Sequence, residues 1–437
     1  MFRLLTSMRV KIEKLVYGGE GLAHANGEAV FVPFVLPGED VEIEPGERKK
    51  KFMRARVTQI LTASPDRIAP QCPHFGICGG CDYQHAPYEA QLRYKEQILR
   101  ETLRRLGRID WQGPISVHAS PPWEYRNRAQ WKIRPAAGDS DGGAAGIGYF
   151  RAGTSTLCPV DVCQILSPKL FTTFQALRTI LSEGNFPETL REVEAFADAE
   201  NQGVLLNITC TSLPRSAETL AKLLREKIED VTSILVQDAR GERMSLYGPG
   251  FLQYKVGQNS FRVGHMSFFQ VNRFLVAEMA NVIASAAGTG ELAFDLYAGV
   301  GLFATSLAAG FAQVVAVEAN PAAARDLETN AGLSAKAITA RNDSAEAFLA
   351  GWKQKRGARP DVAVVDPPRA GLERSALEKL MSVSPRRILY ASCDPSTLAR
   401  DLATLCVKEY HLEYMHLFDM FPQTYHIEAL AQLERGR

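Results

Sequence analysis

The chain has 437 residues, more than one hydrophobic core usually holds, so two or three domains are expected. With 46% hydrophobic and 23% charged residues it reads as folded globular protein, which excludes a disordered or fibrous chain. A net charge of +1 excludes a uniformly polybasic chain and leaves any polyanion to be met by local patches.

Residues 1–10 carry Arg3 and Arg9 and no long apolar run. That matches neither an export signal nor a membrane span, so a cytoplasmic protein with no membrane partner is expected, with Met8 as an alternative start. Residues 9–62 divide into five strand candidates, 10–15, 21–25, 29–32, 40–43 and 52–60, punctuated by Gly18-Gly19, Gly27 and Pro37-Gly38. Five short strands in this length suit an OB-like β-barrel, a common nucleic-acid platform.

A cysteine-rich loop over 70–86 follows, holding Cys72, Cys78 and Cys81 in a Cys-x5-Cys-x2-Cys run. Without an export signal, thiols so spaced point to zinc or an iron–sulfur cluster rather than to disulfides. Pro87 then opens a helix that Gly107 ends, with Tyr88, Leu92, Leu99, Leu103 and Leu106 as its apolar side. Basic residues gather in three places: 48–56; Arg93, Lys95, Arg100, Arg104, Arg105 and Arg108; and Arg126, Arg128, Lys132 and Arg134 among Trp123, Tyr125 and Trp131. Three such clusters in the first third of the chain suit RNA.

Residues 111–255 predict an antiparallel sheet with helices near 167–182 and 215–229, and a flexible glycine-rich loop at 138–148. From about 262, strands at 291–297, 313–318, 337–340, 361–366 and 386–391 alternate with helices, which is a doubly wound parallel sheet. Segments 412–417 and 427–433 add an antiparallel edge. The fold class is therefore α/β and multidomain, divided at 1–66, 67–258 and 259–437.

The carboxyl ends of those C-terminal strands carry the chemistry. Asp295 and the turn with Gly299 and Gly301 follow the first strand, and glycines there let a ligand approach the backbone. Glu318 ends the second strand, where an acid meets ribose hydroxyls. Asn342-Asp343 follows the third and Asp366 the fourth. The GxGxxG spacing is absent, which disfavours NAD and favours S-adenosylmethionine. Cys393 follows the fifth strand among Ser392, Asp394 and Ser396, a polar setting that suits a catalytic thiolate. Glu428 and His426, two residues apart on the last strand, are candidates for the base.

In order, Ser267-Phe-Phe-Gln-Val-Asn272, Asp295-Leu-Tyr-Ala-Gly-Val-Gly301, Asp366-Pro-Pro-Arg-Ala-Gly371, Ser392-Cys-Asp-Pro-Ser-Thr-Leu-Ala-Arg-Asp401 and Asp419-Met-Phe-Pro-Gln-Thr-Tyr-His-Ile-Glu428 resemble the signature motifs of the RNA uracil-5-methyltransferases. Residues 9–62 resemble the TRAM domain of many members. The resemblance implies Cys393 as nucleophile, Glu428 as base, and cofactor contacts by Gln270, Tyr297, Glu318 and Asp366, with Asp343 a weaker transfer and Gly299 in the same loop. Ala298 departs from the cysteine that many members carry, at a position without a catalytic task. The cysteine loop resembles that of the iron–sulfur branch, which implies a 4Fe-4S cluster on Cys72, Cys78, Cys81 and Cys163, the last chosen over Cys158 because apolar residues and a proline follow it. The TRAM-plus-cluster arrangement resembles the branch acting on 23S ribosomal RNA more than the tRNA branch, so 23S rRNA is the expected partner and a monomer the expected state. Methylation of tRNA, or a non-catalytic RNA-binding assembly factor, are the alternatives.

Overall fold

The computed structural model describes residues 7–135, 145–214, 216–334, 337–354 and 358–436. The N-terminal barrel has six strands, β1 Met8–Lys11, β2 Lys14–Leu15, β3 Glu20–Ala25, β4 Glu28–Pro33, β5 Asp40–Lys49 and β6 Phe52–Thr62, ordered β1-β5-β6-β4-β3-β2. The single strand expected over 10–15 is two, because the chain changes partner there. Ile12 N–H bonds to Glu39 O, which ends pairing with β5, and Glu13 N–H turns to Leu22 O on β3. Val10, Ile12, Val30, Val32, Val41 and Ile43 fill the barrel. Strands β5 and β6 run on as a long hairpin that carries the first basic cluster outward, where Arg48, Arg54 and Arg56 pair with Glu28, Glu20 and Glu44.

Helix α1, Tyr88–Leu106, begins after Pro87 and ends at Gly107 as the sequence predicts. Its buried face is rotated from the predicted one. Gln91, Lys95, Ile98, Leu99 and Leu103 point inward, and Leu106 is 57% exposed. Two polar side chains take core positions because their partners come from residues 419–423, and Lys95 is therefore not part of an RNA-facing basic side. Strand β7, Ile115–His118, then joins the C-terminal sheet.

The central unit holds β8 Arg128–Arg134, β9 Gly146–Phe150, β10 Leu157–Pro159, α2 Pro168–Ser182, β11 Leu190–Ala197, β12 Val204–Cys210, α3 Ala217–Lys227, β13 Val231–Gln237 and β14 Arg243–Tyr247. They form one sheet, β10-β9-β8-β11-β12-β13-β14, antiparallel except where α3 joins β12 to a parallel β13. Of the loop expected at 138–148, residues 138–144 lie outside the described residues, and 146–148 belong to β9. Part of the third basic cluster is packed inside the protein. Tyr125 and Trp131 are fully buried, and Arg128 stacks 4.4 Å over Phe196 while donating to Ser267 O.

A hairpin of β15 Phe251–Val256 and β16 Asn259–Gly264 leads through α4 Val276–Ala287 into the C-terminal unit. That unit comprises β17 Gly290–Leu296, α5 Leu302–Leu307, β18 Phe311–Glu318, α6 Pro321–Leu333, β19 Ile338–Asn342, α7 Ala345–Gln354, β20 Val362–Val365, α8 Arg374–Val383, β21 Arg387–Ser392, α9 Pro395–Lys408, β22 Tyr410–Phe418 and β23 Glu428–Arg435. The eight strands run β19-β18-β17-β20-β21-β23-β22-β7. Strand β20 is buried throughout, as expected of a parallel strand covered on both faces. The antiparallel pair predicted as the edge is interior, since β7, from the middle of the chain, pairs outside β22. Helix α1 packs beside α9, so segment 88–118, inside the sequence range 67–258, contributes a helix and a strand to the C-terminal layers. Among the described residues no helix is long and apolar enough to cross a membrane.

Candidate active site and cysteine loop

Strand order reverses between β17 and β20, and the crevice beyond the carboxyl ends there is where open α/β sheets take ligands. The register pairs Leu296 with Val317 on one side and Val365 on the other, so Tyr297, Glu318 and Asp366 leave the sheet together. The turn after β17 is left-handed three times, at Tyr297 (φ 64°), Gly299 (φ 55°) and Gly301 (φ 93°). For Tyr297, which has a Cβ, this costs about 1–3 kcal/mol and persists because neighbours hold it. Gly299 N–H donates to Glu318 Oε2 at 2.8 Å, and Ala304 N–H to Asp295 Oδ2 at 2.7 Å. The other Asp295 oxygen is buried without a protein partner, and burial pushes this carboxyl up to about 8. A Cβ on Gly299 would meet nothing within 4 Å. An open backbone, an unpaired buried acceptor and a carboxylate with spare lone pairs suit a ligand with an amine and a ribose diol, as S-adenosylmethionine has.

Gln270 is buried in the loop after β16. Asn127 Nδ2 donates to its carbonyl at 3.1 Å, and Asp326 fixes the loop by accepting from Gly264 N–H and Ser267 Oγ–H. Asp343 stands beside Glu318, its N–H donating to Glu318 O at 3.1 Å, but its side chain is exposed and accepts from Ser344 N–H.

Cys393 follows β21 directly, and Asp394 caps α9 by accepting from Ser396 and Thr397 N–H. Antiparallel pairing of Ser392 with Ala429 brings the next residues, Cys393 and Glu428, opposite each other. The expectation that His426 shares a strand face with Glu428 fails, because β23 begins at Glu428. Gln423 turns the preceding chain through a left-handed φ of 69°, and His426 lies in that loop with Nδ1 3.2 Å from Arg369 Nη2. Burial, then Arg369, lower its pKa to about 3, so it stays a neutral ring and a weak base.

Burial pushes the Cys393 thiol up to about 11, and Glu428 and Asp366 push the same way while Arg369 opposes them. Burial also raises Asp366 and Glu428, and Asp366 raises Glu428 further. Two carboxyls and the thiol thus share this crevice with one guanidinium. The sequence shows Arg369 inside its motif but gives it no task. Tyr17 was not legible there at all: this β2–β3 loop residue of the barrel donates its hydroxyl to Cys393 O at 3.3 Å, across 376 residues of chain.

The structure gathers Cys72, Cys78, Cys81 and Cys163 around one cavity of about 80 Å³, with His74, Arg126 and Tyr149 also in its wall. Cys158, on β10, is not in that wall. The loop is stitched to the β9–β10 hairpin by Gly79 N–H to Phe150 O and Ala152 N–H to Ile77 O, and Tyr149 Oη lies 3.6 Å from Cys163 Sγ. Among the described residues no three His, Cys, Asp or Glu side chains converge closely enough to hold a single ion. Four thiols lining one small cavity are the ligand type that a zinc ion or an iron–sulfur cluster takes.

Comparison with known proteins agrees with this layout. The family described as tRNA (Uracil-5-)-methyltransferase matches residues 87–436, and the TRAM domain of tRNA (uracil(54)-C(5))-methyltransferase matches residues 8–65. The chain is 34% identical over 440 residues to an uncharacterized RNA methyltransferase of Aquifex aeolicus, covering 98% of each. It is 33% identical over 455 residues to one of Halalkalibacterium halodurans, covering 98% of this chain and 96% of that one. The crystal structure of Pyrococcus abyssi tRNA (uracil-54, C5)-methyltransferase with S-adenosyl-L-homocysteine superposes with a TM-score of 0.75 at 25% identity, covering 98% of this chain and 100% of the other. The chain belongs to the S-adenosylmethionine-dependent RNA (uracil-5-)-methyltransferase family and is an enzyme of that class.

Proposed function

We propose that the chain makes 5-methyluridine in RNA through a covalent adduct on Cys393. The observation that carries this reading is the Ser392–Ala429 register, which sets Cys393 and Glu428 next to each other in the chain order of β21 and β23, with Glu428 the first of the charges acting on the Cys393 thiol. Uracil C5 is a poor nucleophile. Addition of the Cys393 thiolate to C6 moves the C5–C6 electron pair into an enolate, which makes C5 nucleophilic. S-adenosylmethionine, when bound, supplies an electrophilic methyl on a sulfonium. After C5 gains the methyl, the Glu428 carboxylate takes the C5 proton, the C5–C6 double bond re-forms and Cys393 leaves as thiolate. Burial favours a Glu428 of high proton affinity, as this step requires. Gln270, Tyr297, Gly299, Glu318 and Asp366 hold the cofactor, and Asp343 contributes at the adenine end. The base must be flipped out of its stack to reach Cys393.

Cys72, Cys78, Cys81 and Cys163 would hold a 4Fe-4S cluster, whose contribution is to cross-link loop 72–81 to residue 163, since methyl transfer needs no electrons. The setting of the reaction is cytoplasmic. The target in this reading is 23S rRNA, supported by the resemblance of the cysteine loop to the ribosomal branch. The barrel no longer separates the branches, because a tRNA enzyme matches this chain over its full length. That match favours tRNA as the second reading.

Replacing Glu428 with Gln should stop the last step and leave RNA bound covalently to Cys393, visible on a denaturing gel. Normal turnover by that variant would end the reading. Mapping 5-methyluridine in 23S rRNA and tRNA of a strain lacking the protein decides between the two targets.

A further inference from the structure

The loop that leads to the base, residues 419–427, is held at Asp419, Phe421, Gln423 and Tyr425 from one continuous stretch of chain, residues 82–95, while His118, Tyr125 and Asn272 bond to Asp419, Met420 and Pro422. Lys95 Nζ donates to Asp419 Oδ1 at 2.6 Å and to Phe421 O at 3.0 Å, and both charged side chains are fully buried. Asp82 and Tyr83 N–H groups both donate to Gln423 O at 2.9 Å. Gln91 Oε1 accepts from Gln423 N–H at 3.0 Å, and Gln91 Nε2 donates to Gln423 Oε1 at 2.9 Å. Asp82 Oδ2 accepts from Tyr425 N–H at 3.2 Å. Gln423 is the left-handed residue of this loop and is only 3% exposed. Its amide, its carbonyl and its side-chain oxygen are thus all bonded to residues 82–91. A non-glycine residue keeps such a conformation only where its surroundings over-determine it.

We infer that Gln91 is a positioning residue for the base. It holds Gln423 in the left-handed turn and thereby fixes where Glu428 stands, five residues further on, when the C5 proton has to be removed. Gln91 is 1% exposed on the buried face of α1, where the helix pattern alone calls for an apolar side chain. Its Nε2 also donates to Tyr83 O and Ala86 O, so one amide joins the end of the cysteine loop, the start of α1 and the base loop. The inference rests on Glu428 being the base.

The nearly isosteric Gln91→Met removes this clamp and keeps the volume. Transcripts of 23S rRNA and tRNA serve as probes, with and without 5-fluorouridine, whose C5 offers no proton to any base. Gln91→Met should lower kcat roughly 10- to 100-fold, the scale of a small misplacement of a catalytic group. It should leave KM for RNA near the wild-type value, accumulate covalent adduct on uridine RNA, and add to 5-fluorouridine RNA at the wild-type rate. Adduct formation that falls in step with turnover on both RNAs, or unchanged turnover, would overturn the inference. If Glu428→Gln holds adduct and Gln91→Met does not, this inference alone fails; if Glu428→Gln holds none, the base assignment itself fails. Should Gln91→Met not fold, Asp82→Ala, which frees Tyr425 N–H from a half-buried side chain, is read by the same measurements.

Discussion

The molecule has two thiol sites, and burial alone does not tell them apart. It pushes Cys393 up to about 11 and Cys78 up to about 12. The neighbours differ. Around Cys393 stand two carboxyls and a guanidinium, groups that move protons and stabilise charge, at the open carboxyl end of a sheet. Around Cys78 stand other thiols, in the wall of a small cavity that holds a guanidinium, Arg126, but no carboxyl. A thiol meant to react needs a partner that changes charge during the reaction. A thiol meant to bind a group needs more thiols at fixed spacing.

The largest effect that would sharpen this contrast is loss of the proposed nucleophile. Cys393→Ala should lower methyl transfer by at least about 10⁴-fold, as removal of a covalent nucleophile does, while the variant still binds S-adenosylhomocysteine in a calorimeter. Appreciable methylation by it would break the contrast, since the reactive thiol would lie elsewhere. At the other site, Cys163→Ala should reduce bound iron per chain and lower the melting temperature, because a group held only by the folded chain contributes its binding energy to folding. Cys158→Ala should leave both near wild type. The opposite pattern would transfer the fourth ligand to β10.

A third and smaller effect concerns the thiol's ionisation. With the Cys393 thiol up near 11, only about one molecule in a thousand carries thiolate at pH 8, and alkylation by iodoacetamide should rise about tenfold per pH unit below 11. Arg369 is the charge that lowers this pKa, so Arg369→Met should raise it further and slow alkylation of Cys393 at fixed pH. Unchanged rates would mean that the guanidinium serves the substrate rather than the thiol.

Much of the catalytic half was legible in sequence because its parts are local. Asp295, Tyr297 and Gly299 lie within five residues at the end of β17, and Glu318 ends, and Asp366 and Cys393 directly follow, strands whose apolar runs announce them. What the sequence hides is direction and distance. Arg126 and Arg128 among aromatics read as an RNA face, yet alternation along β8 turns Trp131 inward, Arg128 on the opposite face packs on Phe196, and Arg126, ahead of the strand, lines the cysteine cavity. Lys95 reads as part of the basic side of α1 and Gln91 carries no signal, because the groups that hold them inside lie 324 and 332 residues later. The sequence puts His426 on the strand with Glu428 because a period of two cannot show where a left-handed turn at Gln423 delays the strand.

The smallest effect separates two tasks for the barrel. Tyr17 packs edge-on to Tyr425 with ring centroids 5.6 Å apart, and its hydroxyl reaches Cys393 O. Burial, then the nearby Asp394 carboxylate, raise this phenol's pKa, so it remains a neutral donor at working pH. Tyr17→Phe keeps the ring contact and deletes the one hydrogen bond, a change of about 0.5–1.5 kcal/mol, or roughly two- to tenfold. If that loss falls on kcat, the barrel helps to place the nucleophile as well as to bind RNA, because the bond ends on the backbone that carries the thiol. If it falls on KM for RNA alone, the barrel acts through the substrate, and the reacting thiol owes its position only to β21 and the cap of α9.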